Sequence, residues 1–226
     1  MLGRAARAAK AVERRPARSI GRTWPAALGP CNPRPSAYRV RVSDPDPHNL
    51  RIDLRSATRD ELPVVSRLGA TAFAALGDYG GILRDWVREP GVQTTVAARP
   101  GGAVIGFVTW AFVRAPGAPA ACCEMIAVFV EPALRGRGLG ARLMQHALAL
   151  GARHAATLGV TRAALHVAAD NGPARALFES LGFERAPAED TAYPSGAASL
   201  RMVRALAPVA AGDAAREADA SAQESA

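Results

Sequence analysis

The sequence predicts one mixed α/β domain whose central sheet is not fully parallel and is flanked by helices, in the order β-α-α-β-β-β-α-β-α-β. Three observations carry this. Segments of period two and of period 3.6 interleave along residues 49–207. Three strand-like runs follow one another in the middle without a helix between them, which excludes an all-parallel sheet. A glycine-rich loop, "RGRGLGA", joins the last of those runs to a long amphipathic stretch.

Composition narrows the function classes. The chain has 226 residues, 49% of them hydrophobic, which is the balance of a packed globular core. Its formal charge of +8 is unevenly placed: residues 1–42 carry ten Lys or Arg against one acid, and residues 43–226 carry eighteen against nineteen. The basicity therefore belongs to the N-terminal tail, and the globular body shows no nucleic-acid footprint. The absence of a long uncharged apolar run argues against a membrane partner. Three cysteines do not make a disulfide framework, and the adjacent Cys122 and Cys123 lack metal or redox spacing, so reduced thiols in a cytoplasmic protein are expected. His146 and His154 are too far apart on one helix to form a metal pair, and no metal is expected.

The elements follow in order. Residues 1–48 mix Arg, Ala, Pro and Gly and read as a disordered basic tail. "LRIDLR" alternates Leu50, Ile52 and Leu54 as a strand. "ATRDELPVVSRLGATAF" is a helix with Thr58 or Asp60 as cap and an apolar stripe of Leu62, Val65, Leu68 and Ala72. "ILRDWVREP" is a shorter helix stopped at Pro90 and Gly91. "VQTTVAAR" and "AVIGFVTWAFV" are strands joined through "PGG", and "CCEMIAVFVEP" is the third of the run, after the loop "RAPGAPAA". A long helix to near Leu158 carries Leu139, Leu143, Ala147 and Leu150 at helical spacing. "TRAALHVAA" is a strand, "DNGPARALFESLGF" a capped helix and "ASLRMVRAL" the closing strand, with a disordered tail over 208–226.

The loop after the third strand is suited to an anion. A helix N-terminus presents unpaired N–H groups and a partial positive charge, and glycine lets a ligand approach the backbone closely. A Walker A loop would need Gly-Lys-Ser/Thr, which is absent. A dinucleotide fingerprint can be laid over Gly136, Gly138 and Ala141, but five residues separate it from the strand, and the ribose-binding acid is not where it should be.

Arg135-x-x-Gly138-x-Gly140 after an apolar strand resembles the pyrophosphate loop of the GNAT superfamily of N-acetyltransferases. "LHVAADNGPARALFESLGF" resembles a second conserved block of that superfamily, and "IDLRSATRDELPVV" its opening strand and helix. The resemblance spans roughly residues 50–206. It implies a mostly antiparallel central sheet and acetyl-CoA as co-substrate, with an amine-bearing acceptor and room for a homodimer. It implies that the backbone of Val128, Phe129 and Val130 meets the pantetheine arm. The loop Arg135, Gly136, Arg137, Gly138, Leu139, Gly140 and Ala141 would meet the pyrophosphate, and Asn171 the rest of the cofactor unless it is only a helix cap.

An ammonium has no lone pair, so acetyl transfer to an amine needs a base. The resemblance places Glu124 at a position used for that role, the alternative being a solvent-facing strand-end Glu. His166 is a second candidate base, the alternative being a structural histidine. Phe178 stands beside the cofactor where the superfamily often has a tyrosine that protonates the leaving thiolate. That departure keeps open a second reading, an idle acetyl-CoA-binding module. Tyr193 is the nearest candidate to replace the missing acid.

Overall fold

The computed structural model describes residues 40–41, 51–114 and 120–207. Both predicted tails, apart from residues 40–41, and most of the "RAPGAPAA" loop lie outside the described residues. The chain runs β1 (Val40–Arg41), β2 (Asp53–Ser56), α1 (Leu62–Ala72), α2 (Tyr79–Trp86), β3 (Val92–Ala98), β4 (Val104–Val113), β5 (Cys122–Val130), α3 (Leu139–Leu158), β6 (Arg162–Ala168), α4 (Gly172–Ser180), β7 (Glu184–Arg185), β8 (Thr191–Ala192) and β9 (Ala198–Ala205).

All strands join one sheet in the order β1-β2-β3-β4-β5-β6-β9-β7, with β8 paired to β9. Every pairing is antiparallel except β5 with β6. That one parallel pair follows from α3, which carries the chain back over the sheet before β6 starts, as a parallel crossover requires. The sheet is mixed and mostly antiparallel, as expected. It begins earlier than expected, however: β1 pairs with β2 within residues read as tail. The alternation of Tyr38, Val40 and Val42 with Arg39 and Arg41 is the period-two signal that the Pro-rich surroundings obscured.

Helices cover both faces. α3 packs through Leu139, Leu143, Ala147 and Ala155 on Trp110, Met125 and Leu165, with Phe178 of α4 in the same cluster. On the other face α1 and α2 set Val65 and Leu83 against Val96, Phe107 and Phe129. α1 and α2 approach closely because position 69 is glycine: a Cβ there would lie 2.2 Å from the Leu83 side chain. The entry to α1 is fixed by Glu61, which accepts from the Thr58 N–H and hydroxyl and pairs with both terminal nitrogens of Arg55. These Arg55 contacts hold the Glu61 carboxyl down at about 2.

The register places two irregularities at one level of the sheet. On β5, Ile126 is an extra residue, because Thr109 and Trp110 of β4 face Ala127 and Met125. On the opposite edge of β5, pairing with β6 stops at Met125↔Leu165. Beyond that point β5 and β6 part, and the far half of β5 (126–130) has no ladder to β6.

Candidate active site

The loop between β5 and α3 is built from two anchors and a turn. Leu134 and Leu139 are buried, and Arg135, Gly136, Arg137 and Gly138 between them are exposed. Gly136 and Gly138 have φ of 74° and 76°, the left-handed region that other residues avoid. Gly138 is the N-cap of α3, so the turn leads directly into the first-turn N–H groups of Leu139, Gly140 and Ala141, which have no partner within the helix. Gly140 serves a different purpose: a Cβ there would press on Leu177 of α4 at 3.2 Å. Arg135 donates from Nε to the Val130 carbonyl at 3.0 Å, tying the loop to the end of β5. Phe129 stacks on Phe107 at 5.6 Å between ring centroids, while Val128 and Val130 pack on the α3 side.

α4 begins at Asn171, whose Oδ1 accepts the Ala174 N–H at 3.2 Å. Its cap role is therefore seen directly. Phe178 is 6% exposed and meets Phe183 edge-on, with centroids 6.2 Å apart. It is a core residue whose ring carries no hydroxyl to offer.

The candidate chemical residues gather on the other face of the sheet, the one covered by α1 and α2. Glu124, His166 and Tyr193 are brought together there with two residues that sequence reasoning missed, Ser199 and Arg201. His166 is the first residue of β6 beyond the last β5–β6 pair. Its Nδ1 is 3.0 Å from Ser199 Oγ. Burial, then the Arg201 charge, lower His166 below the ordinary imidazole value, so its ring is neutral at neutral pH. Tyr193 is buried against Tyr79, centroids 6.2 Å apart, and Tyr79 meets Phe73 at 5.2 Å. Burial raises both phenols, so both carry their protons.

Glu124 is neither solvent-facing nor free. At 3% exposure it lies 2.6 Å from Arg201 Nη1, and the Cys122 thiol donates to its other oxygen at 3.6 Å. Burial pushes that thiol up to about 11. The period-two pattern of β9 holds the clue to the missed residues, since Ser199 and Arg201 are buried polar positions two residues apart on one face of the strand.

The other acids near this face are also engaged. Asp78 caps α2 by accepting the Gly81 N–H at 2.9 Å, and Asp85 lies 3.7 Å from Arg84. Glu189 pairs with Arg162 at 2.8 Å. Asp190 pairs with Arg185 and accepts the Arg201 N–H at 2.8 Å. Among the described residues no group of His, Cys, Asp or Glu has the makings of a metal site, and no helix is long and apolar enough to cross a membrane.

A parted pair of strands beside a glycine turn and a helix N-terminus, with a neutral imidazole at the fork, suits acyl transfer from an anionic carrier. Comparison with known proteins agrees. A model of the Acetyltransferase (GNAT) family matches residues 59–183. Mycothiol acetyltransferase of Kocuria rhizophila is 34% identical over 149 residues, 62% of this chain and 47% of that protein. The N-alpha-acetyltransferase RimI of Mycobacterium tuberculosis is 36% identical over 110 residues, 48% of this chain and 64% of that one. The chain spans about half the length of the mycothiol acetyltransferases it matches. The fold is shared with NAA60 of Arabidopsis thaliana in complex with acetyl-CoA, at a TM-score of 0.54 and 18% identity over 69% of this chain and 98% of that one. It is shared also with the spermidine N-acetyltransferase of Vibrio cholerae, at 0.51 and 18% over 70% and 97%. With more than half of its residues inside the family model, the chain belongs to the GNAT family of acetyltransferases.

Proposed function

We propose that the chain moves an acetyl group from acetyl-CoA to a primary amine, with His166 as the base. The observation that carries this is the position of His166 at the fork where β5 and β6 part, hydrogen-bonded to Ser199 at 3.0 Å. The residues present fit the carrier. Its pyrophosphate matches the first-turn N–H groups of α3 and the charge of Arg135 and Arg137. Its extended pantetheine matches the unpaired edge of β5 at Val128–Val130, and Asn171 caps α4, whose Leu177 faces Gly140 of the loop. Acetyl-CoA, when bound, supplies an activated acyl carbonyl and a thiolate that leaves.

His166 takes a proton from the acceptor ammonium, freeing the lone pair that forms the new C–N bond as the C–S bond breaks. Ser199 holds the ring through Nδ1. Tyr193, buried on the same face of the sheet, returns a proton to the sulfur, the role Phe178 cannot fill. Glu124 is a poorer base than His166, because both of its oxygens already hold donors.

The acceptor side favours a single amine over a polyamine. Glu124, Glu189 and Asp190 are each engaged by arginine, and the groups immediately around His166 are neutral: hydroxyl and two tyrosines. An α-amine with a small or apolar neighbour suits such a wall, and the N-alpha-acetyltransferase relative points the same way. The test is release of free thiol from acetyl-CoA over a panel of α-amine peptides, cysteinyl amines, polyamines and aminosugars. Turnover is expected with α-amines and weak with polyamines; preference for polyamines would reject the acceptor assignment. The second reading, an idle acetyl-CoA-binding module, is favoured by Phe178 alone, and it would show as tight binding without turnover on any amine.

A further inference from the structure

The Glu124–Arg201 ion pair is strung across the strand that carries His166. β6 lies between β5 and β9. Glu124 is opposite Ala164 on one side of β6, and Arg201 is opposite His166 on the other. Ala164 and His166 share a face, being two residues apart on one strand. The Arg201 side chain therefore starts directly beside His166 and reaches over Ala164, fully buried and only a methyl in size, to meet Glu124 at 2.6 Å. Opposed side chains in antiparallel strands lie about 5 Å apart at Cβ, and diagonal ones about 7–8 Å. Arg201 is thus the cross-strand neighbour of the imidazole, and its charge acts on the ring more strongly than that of Glu124.

We propose that Arg201, anchored by Glu124 across Ala164, is a positioning residue that fixes a positive charge next to His166 and so presents the imidazole to the acceptor as a free base. The inference rests on the reading of His166 as the base. A buried ion pair is weak evidence of stability for its own sake, and an apolar pair would fill the same space. What an apolar pair would not supply is a fixed charge beside the ring. Other charged and titratable groups face the same region: Glu189 and Asp190 from the segment before β8, Cys122 and Glu124 from β5, and Tyr193. The carboxylates oppose Arg201: Glu189 is tied to Arg162 and also lies 3.6 Å from Arg201 Nε, and Asp190 is tied to Arg185. Burial of the ring and the Arg201 charge outweigh them, and His166 stays below the ordinary imidazole value.

The test reads the ring directly. The midpoint of the His166 imidazole is followed by NMR titration in the full chain, and the pH profile of kcat/KM is measured alongside. Arg201→Gln removes the near cation and moves the midpoint up, on the order of one pH unit. Glu124→Gln removes the shorter of the two carboxylate contacts of Arg201, leaving Glu189 at 3.6 Å, and moves it down. Arg201→Lys keeps the charge and holds it near the wild-type value. The acid limb of kcat/KM moves with the midpoint in each case. Should Arg201→Gln fail to fold, Glu124→Gln against Arg201→Lys still decides the matter. Midpoints that do not move, or that move the same way in Arg201→Gln and Glu124→Gln, overturn the proposal. His166→Gln separates the two claims: an acid limb that survives in it refutes the base, while the ring midpoints still report on Arg201.

Discussion

The Glu124 carboxylate and the Arg201 guanidinium, 77 residues apart in sequence, meet at 2.6 Å over the face of β6. Both are buried, so neither charge has water to fall back on. Arg201→Met strands the carboxylate and is expected to cost about 3–5 kcal/mol in urea denaturation. The double variant Glu124→Leu/Arg201→Met is expected to recover most of that loss, because an apolar pair of similar volume is often no worse. A single variant as stable as the wild type would mean the pair is solvated.

Gly138 turns the chain into α3 with φ of 76°, and a Cβ there meets nothing within 4 Å. Backbone strain is then the main structural cost of a substitution, about 1–3 kcal/mol. Gly138→Glu is expected to fold with a modestly lowered Tm and to lose CoA binding in calorimetry, since a carboxylate would stand among the donors meant for phosphate. Unchanged CoA affinity would remove the loop from the cofactor site.

Tyr193 is buried beside Tyr79. Tyr193→Phe keeps the ring packing and deletes the proton. The expected result is a kcat lowered by about 10²-fold, in line with loss of a general acid, at unchanged CoA affinity. A kcat equal to the wild type would assign the sulfur's proton to solvent.

Glu61 is held at about 2, chiefly by its hydrogen bond from Arg55, against an ordinary value of 4.5. A carboxylate with a depressed folded value stabilises the fold above its unfolded value, and the benefit fades as pH falls toward the folded one. The wild type should therefore lose an increment of stability between about pH 4.5 and 2 that Arg55→Met lacks. Since the pair is only partly buried, the increment is expected to be about 1 kcal/mol. Parallel stability–pH curves for the two proteins would show the ion pair to be inert.

The order of elements was legible because its signals are local: the periods of β3 to β6, the Asn171 cap and the glycines of the α3 entry each announce themselves within a few residues. β1, β7 and β8 were not, since two-residue strands exist only through the neighbours they pair with. The glycine-rich turn over residues 135–141 is legible for the same local reason. The buried polar cluster around His166 is only partly legible in the sequence. His166 and Tyr193 stood out by residue type, but Arg201 and Ser199 acquire meaning only when β9 comes to lie beside β6, an event of topology. Glu124 was placed on the correct strand, yet its partner lay beyond the reach of spacing arguments.

The central claim is that His166 takes the proton from the acceptor amine. Wild type and His166→Gln, each saturated with acetyl-CoA, are compared for thiol release with the preferred amine across the pH range. The account predicts a kcat about 10²–10⁴-fold lower in His166→Gln, with the acid limb gone and the acetyl-CoA Kd unchanged. A variant that turns over at the wild-type rate with the same acid limb would contradict it.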